Sequence, residues 1–243
     1  MQLFCFVILP VVIWAGLEYL QMVDDRKVSF FERGLLSILL VFPVLFLCFI
    51  PEMRWLALSF VSSFLMITCY ILVRYKEIGD SYSLFSRLVF GNLYIGGLGC
   101  HILLLRLLPG GADWLIIVSA ITACSDSGAY FIGRALGRRK LCPHVSPKKT
   151  VEGAGGGLVC GIIAAVIFGL ILQVPLNMYL LVCFAVILTV AGIVGDLTES
   201  IIKRGTGTKD SGNILAGHGG ILDRVDSLLF AAPVFYYLLL AVL

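Results

Sequence analysis

The chain has 243 residues, of which 60% are hydrophobic and only 14% charged, with a formal net charge of +3. A soluble domain of this length needs more charge to keep its surface wet, so the composition excludes a water-soluble globular enzyme and points to lipid as solvent. A bilayer core needs roughly 20 apolar residues per helical span, which leaves room for about eight spans and no large soluble domain.

In chain order, the apolar runs predict spans near Leu3–Val23, Gly34–Ile50, Trp55–Val73, Leu88–Leu105, Trp114–Ile132, Gly153–Leu172, Leu176–Val194 and Val225–Leu243. The runs are continuously apolar at helix length and lack the alternation of a barrel strand, so the expected fold class is all-α, a polytopic transmembrane helical bundle. No Lys or Arg precedes Arg26, so the first run is expected to stay as a span rather than act as a cleaved signal peptide. Trp55 and Trp114 fall at span ends, where indoles favour the headgroup layer. Seven of the eight cysteines lie in apolar runs and none forms C-x-x-C, which argues against a zinc or redox motif.

Loops after the odd-numbered spans hold every Lys and Arg except Arg54 and Arg106. The positive-inside rule then places both termini outside and the four basic loops in the cytosol. Two of these loops, 133–152 and 199–226, are richer than the rest. Residues 1–110 therefore read as a transmembrane scaffold, and residues 111–243 as a transmembrane catalytic region.

The densest stretch runs from Glu199 to Asp226. Lys203, Arg204, Lys209 and Arg224 supply cationic donors suited to phosphate oxygens. Glycines around His218 (Gly217, Gly219, Gly220) let backbone N–H groups approach an anion just before a new helix N-terminus. Asp223 and Asp226, three residues apart, share one face of that helix. Acids among so many bases suggest a divalent cation bridging phosphates. Asp196, in Gly195-Asp196, closes the preceding span. The alternative is that the acids only cap and solvate the last helix.

In the other rich loop, Ser146-Pro147-Lys148-Lys149-Thr150 sets two cations and two hydroxyls just before a helix start rich in glycine (Gly153, Gly155, Gly156, Gly157), a candidate phosphate clamp. A basic juxtamembrane cluster can also be a topology signal that attracts anionic lipid. Asp126 lies inside the fifth span. A carboxylate there is costly unless paired or hydrated, so it is expected to face a polar cavity, with a structural ion pair as the alternative. Glu18, in the first span, stays ambiguous. His101 reads as a packed polar residue and His144 as a loop residue.

At these residues the chain resembles the phosphatidate cytidylyltransferase (CDP-diacylglycerol synthase) family. The resemblance is carried by Ser200, Lys203-Arg204, Lys209-Asp210, His218-Gly219-Gly220 and Asp223-Arg224-Val225-Asp226, and by Asp126-Ser127-Gly128-Ala129-Tyr130, Gly133-Arg134, Lys140-Leu141, Pro143, Ser146-Pro147-Lys148-Lys149-Thr150 and Glu152-Gly153. It covers roughly residues 120–230. Ala216 departs from the family's usual proline, which removes a fixed φ before His218 but no chemical group.

The resemblance implies a Mg²⁺-dependent reaction of CTP with phosphatidate, giving CDP-diacylglycerol and pyrophosphate. It also implies a homodimer, with membrane lipid but no nucleic acid as partner, in a bacterial cytoplasmic membrane with the site facing the cytosol. Asp196 and Asp223 are the implied metal ligands. Asp126, Lys203, Arg204, Lys209, His218 and Asp226 are expected to be catalytic. Ser146, Lys148, Lys149, Thr150, Ser200, Gly219, Gly220 and Arg224 are expected to bind substrate. The rival readings are a CTP-dependent polyprenol or phytol kinase, an archaeal-lipid cytidylyltransferase and, in another class, an ion-coupled transporter.

Overall fold

The computed structural model describes residues 2–208, 210–212 and 219–243. The expectations for Lys209, Ala216 and His218 lie outside the described residues. The fold is all-α and polytopic, as the apolar runs predict. Its helices are α1 (Gln2–Val23), α2 (Phe30–Phe49), α3 (Leu56–Val73), α4 (Ser81–Gly91), α5 (Leu98–Leu107), α6 (Gly111–Leu136), α7 (Val151–Ile171), α8 (Met178–Gly205) and α9 (Leu222–Leu240). A single turn, Met53–Trp55, leads into α3, and a wider π-type turn, Asn92–Gly97, joins α4 to α5.

Among the described residues, seven helical stretches are long and apolar enough to cross a membrane, and they coincide with the first seven expected spans. Large apolar side chains such as Phe6, Leu170 and Tyr179 stay exposed on them, which suits a surface solvated by lipid. The eighth expected span falls on α9, whose start carries Asp223, Arg224 and Asp226 and which is not among the seven.

Hydropathy marks the lipid-crossing stretch and not the helix end, and two helices outrun their spans. Helix α6 continues to Leu136, and α8 continues past Val194 to Gly205. Glu199, Ser200, Lys203 and Arg204 are therefore helical, and the connection expected to open at Glu199 opens only after Gly205. Between α6 and α7 lies a feature not anticipated, an antiparallel hairpin of β1 (Lys140–Cys142) and β2 (Ser146–Thr150), with Lys140 opposite Thr150 and Cys142 opposite Ser146.

The chain divides into two compact units, one formed by Met1–Leu107 with Thr206–Arg224 and the other by Leu108–Gly205 with Val225–Leu243. In the first, Ser29 caps α2 by accepting the Glu32 N–H at 3.1 Å, the Ser-x-x-Glu spacing of a capping box. Asn92 opens the π-type turn and is buried. Its amide donates to the Leu39 and Leu40 carbonyls at 3.2 and 2.9 Å and accepts from the Ser63 hydroxyl at 3.0 Å. The irregular turn thus has its polar groups satisfied by the helices around it. His101 is buried on α5, with Nδ1 3.0 Å from the Gly97 carbonyl, in keeping with a packed polar residue.

In the second unit, Trp114 corrects the interfacial expectation. It is fully buried, edge-on to Phe235 at 5.8 Å, and its indole N–H donates to the Pro109 carbonyl at 2.9 Å. With that donor satisfied, the ring gains more from packing than from the headgroup layer. Helices α6 and α7 approach closely through glycine. A Cβ added at Gly157 would lie 2.8 Å from the Ser125 carbonyl oxygen, and one at Gly153 2.8 Å from the Ala129 oxygen. These glycines serve helix packing, whereas Gly155 meets no neighbour within 4 Å.

Candidate active site

In the second unit, α6, the hairpin, the start of α7 and the middle of α8 enclose a cavity of about 520 Å³. Helix α6 contributes Asp126, Tyr130 and Arg134, four residues apart and so on one face, with the Arg134 guanidinium donating to the Tyr130 hydroxyl at 3.2 Å. The hairpin contributes Lys140 from β1 and Lys148 and Lys149 from β2. Helix α8 contributes Ile193 and Asp196.

The cavity has an acidic and a basic side that meet at one contact, Lys149 Nζ on Asp196 Oδ2 at 2.5 Å. Asp126 is exposed, and its Oδ1 accepts from the Ser227 hydroxyl of α9 at 3.4 Å. Asp226 is buried within electrostatic reach of both Asp196 and Asp126. Helix α9 can come this close because Gly195 has no side chain: a Cβ there would lie 2.5 Å from the Asp226 carbonyl oxygen.

Three devices hold the hairpin in place. The Thr150 hydroxyl is buried and caps α7 by accepting the Gly153 N–H at 3.1 Å. Glu152 accepts the Arg138 and Arg139 N–H groups at 3.0 and 3.1 Å, fixing the chain where it leaves α6. Arg204, on the last turn of α8, donates to the Val145 carbonyl at 3.2 Å.

Of the expected site residues, Asp126, Lys148, Lys149, Thr150 and Asp196 line this one cavity, with Asp226 beside its acids. Ser146 pairs with Cys142 in the hairpin, Ser200 is buried on α8, and Arg204 braces the hairpin turn. Lys203 donates to Glu199 at 2.7 Å, and that carboxylate is 1% exposed.

The remaining described site residues, Gly219, Gly220, Asp223 and Arg224, belong to the first unit. There Asp223 Oδ2 accepts the Gly220 N–H at 2.8 Å and the Ser211 N–H at 3.3 Å. Gly219 has φ +78°, the left-handed region that favours glycine, and Arg224 is exposed.

The family model for the cytidylyltransferase family matches residues 1–242. The chain belongs to the cytidylyltransferase family. The phosphatidate cytidylyltransferase of Bacillus subtilis is 50% identical over 129 residues, 53% of this chain and 48% of the relative. That of Staphylococcus haemolyticus is 44% identical over 130 residues, 54% of this chain and 50% of the relative. An uncharacterized Escherichia coli protein is 45% identical over 130 residues, 54% of this chain and 43% of the relative. The chain thus spans about half the length of the curated relatives it matches.

The carboxylates of the cavity are of a kind that suits a divalent cation. Mg²⁺ prefers a few carboxylates and takes its other ligands from water and phosphate oxygens. Asp196 already holds an ammonium at 2.5 Å, with Asp126 and Asp226 near it. Among the described residues, no three His, Cys, Asp or Glu side chains form a metal site by themselves.

Sequence reasoning gave no role to Tyr130, Arg134 or Lys140, although the four-residue spacing from Asp126 through Tyr130 to Arg134 was there to be read as one helix face. Glu199 was passed over as the start of the basic stretch and proves to be the buried partner of Lys203. Glu18, left ambiguous, is buried and fully engaged.

Proposed function

We propose that this cytidylyltransferase acts on phosphatidate, converting CTP and phosphatidate to CDP-diacylglycerol and pyrophosphate. The observation that carries this reading is the cavity of the second unit, where acids and cations meet at the Lys149–Asp196 pair among lipid-spanning helices. The sequence signature and the names of the relatives support it.

A phosphate oxygen of phosphatidate attacks the α-phosphorus of CTP in line. The new P–O bond forms as the bond from the α-phosphorus to the oxygen of the β-phosphate breaks, and pyrophosphate leaves. The nucleophile is already an oxyanion, so no covalent enzyme intermediate is required. Catalysis then consists of positioning and of neutralising charge on the phosphoryl oxygens.

Lys148 and Lys149 hold phosphate oxygens of CTP or the lipid, and Asp126 orients substrate within the cavity. On the sequence signature, Asp196 and Asp223 would hold Mg²⁺, assisted by Asp226. When bound, the cation supplies charge neutralisation to the triphosphate. Lys203, Arg204 and Lys209 keep their proposed triphosphate roles, and His218 its proposed place in the catalytic loop, on the sequence signature alone. The distribution of basic residues supports a topology with both termini outside and the basic loops in the cytosol of a bacterial cell. There soluble CTP reaches the headgroup of a lipid that never leaves the bilayer. A homodimer is part of the same proposal.

The test uses purified protein, CTP labelled at its α-phosphorus, phosphatidate and Mg²⁺. Label passing into the lipid phase with release of pyrophosphate is the expected result. Phosphorylation of a polyprenol or phytol with release of CDP would replace this reading with a kinase.

A further inference from the structure

A carboxyl group inside a lipid-spanning helix is costly unless donors surround it. Glu18, on α1, is 1% exposed and has three. Its Oε1 accepts the Ile221 N–H at 3.0 Å, and its Oε2 accepts the Leu222 N–H at 2.8 Å and the Ser211 hydroxyl at 3.2 Å. The first N–H groups of a helix have no acceptor within that helix. Glu18 therefore caps α9 from a helix at the other end of the chain. Glycine makes the room: a Cβ added at Gly212 would fall 2.6 Å from Oε1, and one at Gly220 would strike Oε2.

A second carboxylate grips the same backbone. Asp223 Oδ2 takes the N–H groups of Gly220 and Ser211, so Ser211 is bonded through its hydroxyl to Glu18 and through its N–H to Asp223. A Cβ at Gly219 would lie 2.6 Å from Asp223 Oδ2, so the Asp223 carboxylate is confined on that side as well. The two acids and the segments at Ser211 and Gly220–Leu222 form one linked polar cluster within the first unit.

We propose that Glu18 is a positioning residue for the reaction: by fixing Ser211 and the start of α9 it sets the carboxylate of Asp223 for the divalent cation. This rests on the reading of Asp223 as a cation ligand. Glutamine cannot replace Glu18, because both oxygens accept and an amide would turn its NH₂ toward a backbone N–H. Aspartate keeps both oxygens and loses one methylene of reach.

The test uses the full chain in lipid nanodiscs, with Mn²⁺ as the probe cation followed by electron paramagnetic resonance and amide exchange followed at Ile221 and Leu222. Loss of a residue that orients a metal ligand weakens metal binding roughly 10–100-fold. Glu18→Gln is expected to weaken Mn²⁺ binding by that factor and to speed exchange at both amides, with Glu18→Asp falling between it and the parent. Ser211→Ala, which removes one hydroxyl and keeps the Ser211 N–H, is expected to weaken Mn²⁺ binding severalfold and carries the test if Glu18→Gln does not fold. Asp223→Asn is expected to weaken Mn²⁺ binding while leaving exchange at Leu222 slow. Normal Mn²⁺ affinity in both Glu18→Gln and Ser211→Ala, alongside weakened binding in Asp223→Asn, would reduce Glu18 to a helix cap and overturn the proposal. Normal affinity in Asp223→Asn would instead remove the cation role of Asp223, and the positioning role with it.

Discussion

The two units each contain a knot of acids, cations and a tyrosine, and the knots are built to opposite ends. In the first, the Arg26 guanidinium lies flat on Asp24, with Nε and Nη2 each 2.9 Å from a carboxylate oxygen. It also donates to the Tyr70 hydroxyl at 3.3 Å, and Tyr70 in turn donates to Glu32. Bonding to Asp24 pushes the Arg26 guanidinium further above its ordinary range. These groups occupy one another and tie together the ends of α1, α2 and α3. In the second unit, Arg134, Lys140, Lys148 and Lys149 line an open volume, and Lys149 is paired to Asp196, which lines it too. What separates a brace from a candidate active site is the space left for a charged ligand.

The sharpest way to break this comparison is to remove an acid from the cavity. Asp196→Asn is expected to lower kcat roughly 10³-fold, about 4 kcal/mol of transition-state stabilisation, while the protein remains folded in detergent. Turnover near the parent level would show that the cavity is not the reaction site. On the other side of the comparison, Arg26→Met leaves Asp24 buried without its partner. Breaking such a pair costs about 3 kcal/mol of stability. The expected outcome is a clear fall in Tm with kcat/KM unchanged, and a selective rise in the KM for CTP would mean that the first knot is not merely a brace.

Lys149→Met should have a smaller effect, about 10–100-fold in kcat/KM, read as lost binding of phosphate charge in the transition state. The size of this loss also sharpens the comparison. Lys149 is bonded to Asp196, so its removal strips one cation from the substrate and at the same time releases a carboxylate. If Lys149 only braces Asp196, Lys149→Met should change the Mg²⁺ requirement and leave the KM for CTP alone. If it contacts phosphate, the KM for CTP should rise.

The spans were legible because lipid imposes one stringent demand, a run of about 20 apolar residues, and the chain meets it repeatedly. The helices were less legible, since α8 keeps its hydrogen-bonded ladder through Asp196, Glu199 and Lys203 after its apolar character has ended. Polarity decides what leaves the bilayer, whereas helical hydrogen bonding continues wherever no breaker intervenes. Trp114 was misplaced because an indole at a span end looks interfacial until its N–H is seen to have a carbonyl partner.

The site was legible where local spacing carries the geometry, as at Lys148-Lys149-Thr150, and less so where tertiary contact does. No pattern near Glu18 announces Ser211 or Leu222, and none near Glu152 announces the backbone of Arg138 and Arg139. The glycines of α7 show two roles sharing one local pattern. A glycine-rich helix start beside two lysines suggests phosphate; Gly153, Gly156 and Gly157 also make the close contact with α6, and Gly153 lines the cavity.

The smallest expected effect comes from Arg54, which pairs with Glu52 and lies 5.4 Å from the centre of the Trp55 ring. Its side chain is 71% exposed and that of Glu52 is 48% exposed. An exposed pair gains little over hydration and loses side-chain freedom, so Arg54→Gln should cost less than about 1 kcal/mol and leave kcat/KM untouched. The acids paired to the three cations then form a graded series: Asp24 is buried, Asp196 is half-buried beside an open volume, and Glu52 is exposed. Stability loss should follow burial across the series, and loss of activity should follow the cavity. If Arg54→Gln lowered Tm as far as Arg26→Met, desolvation of the partner acid would not be what makes the first knot a brace. The contrast between the two units would then have to rest on cavity space alone.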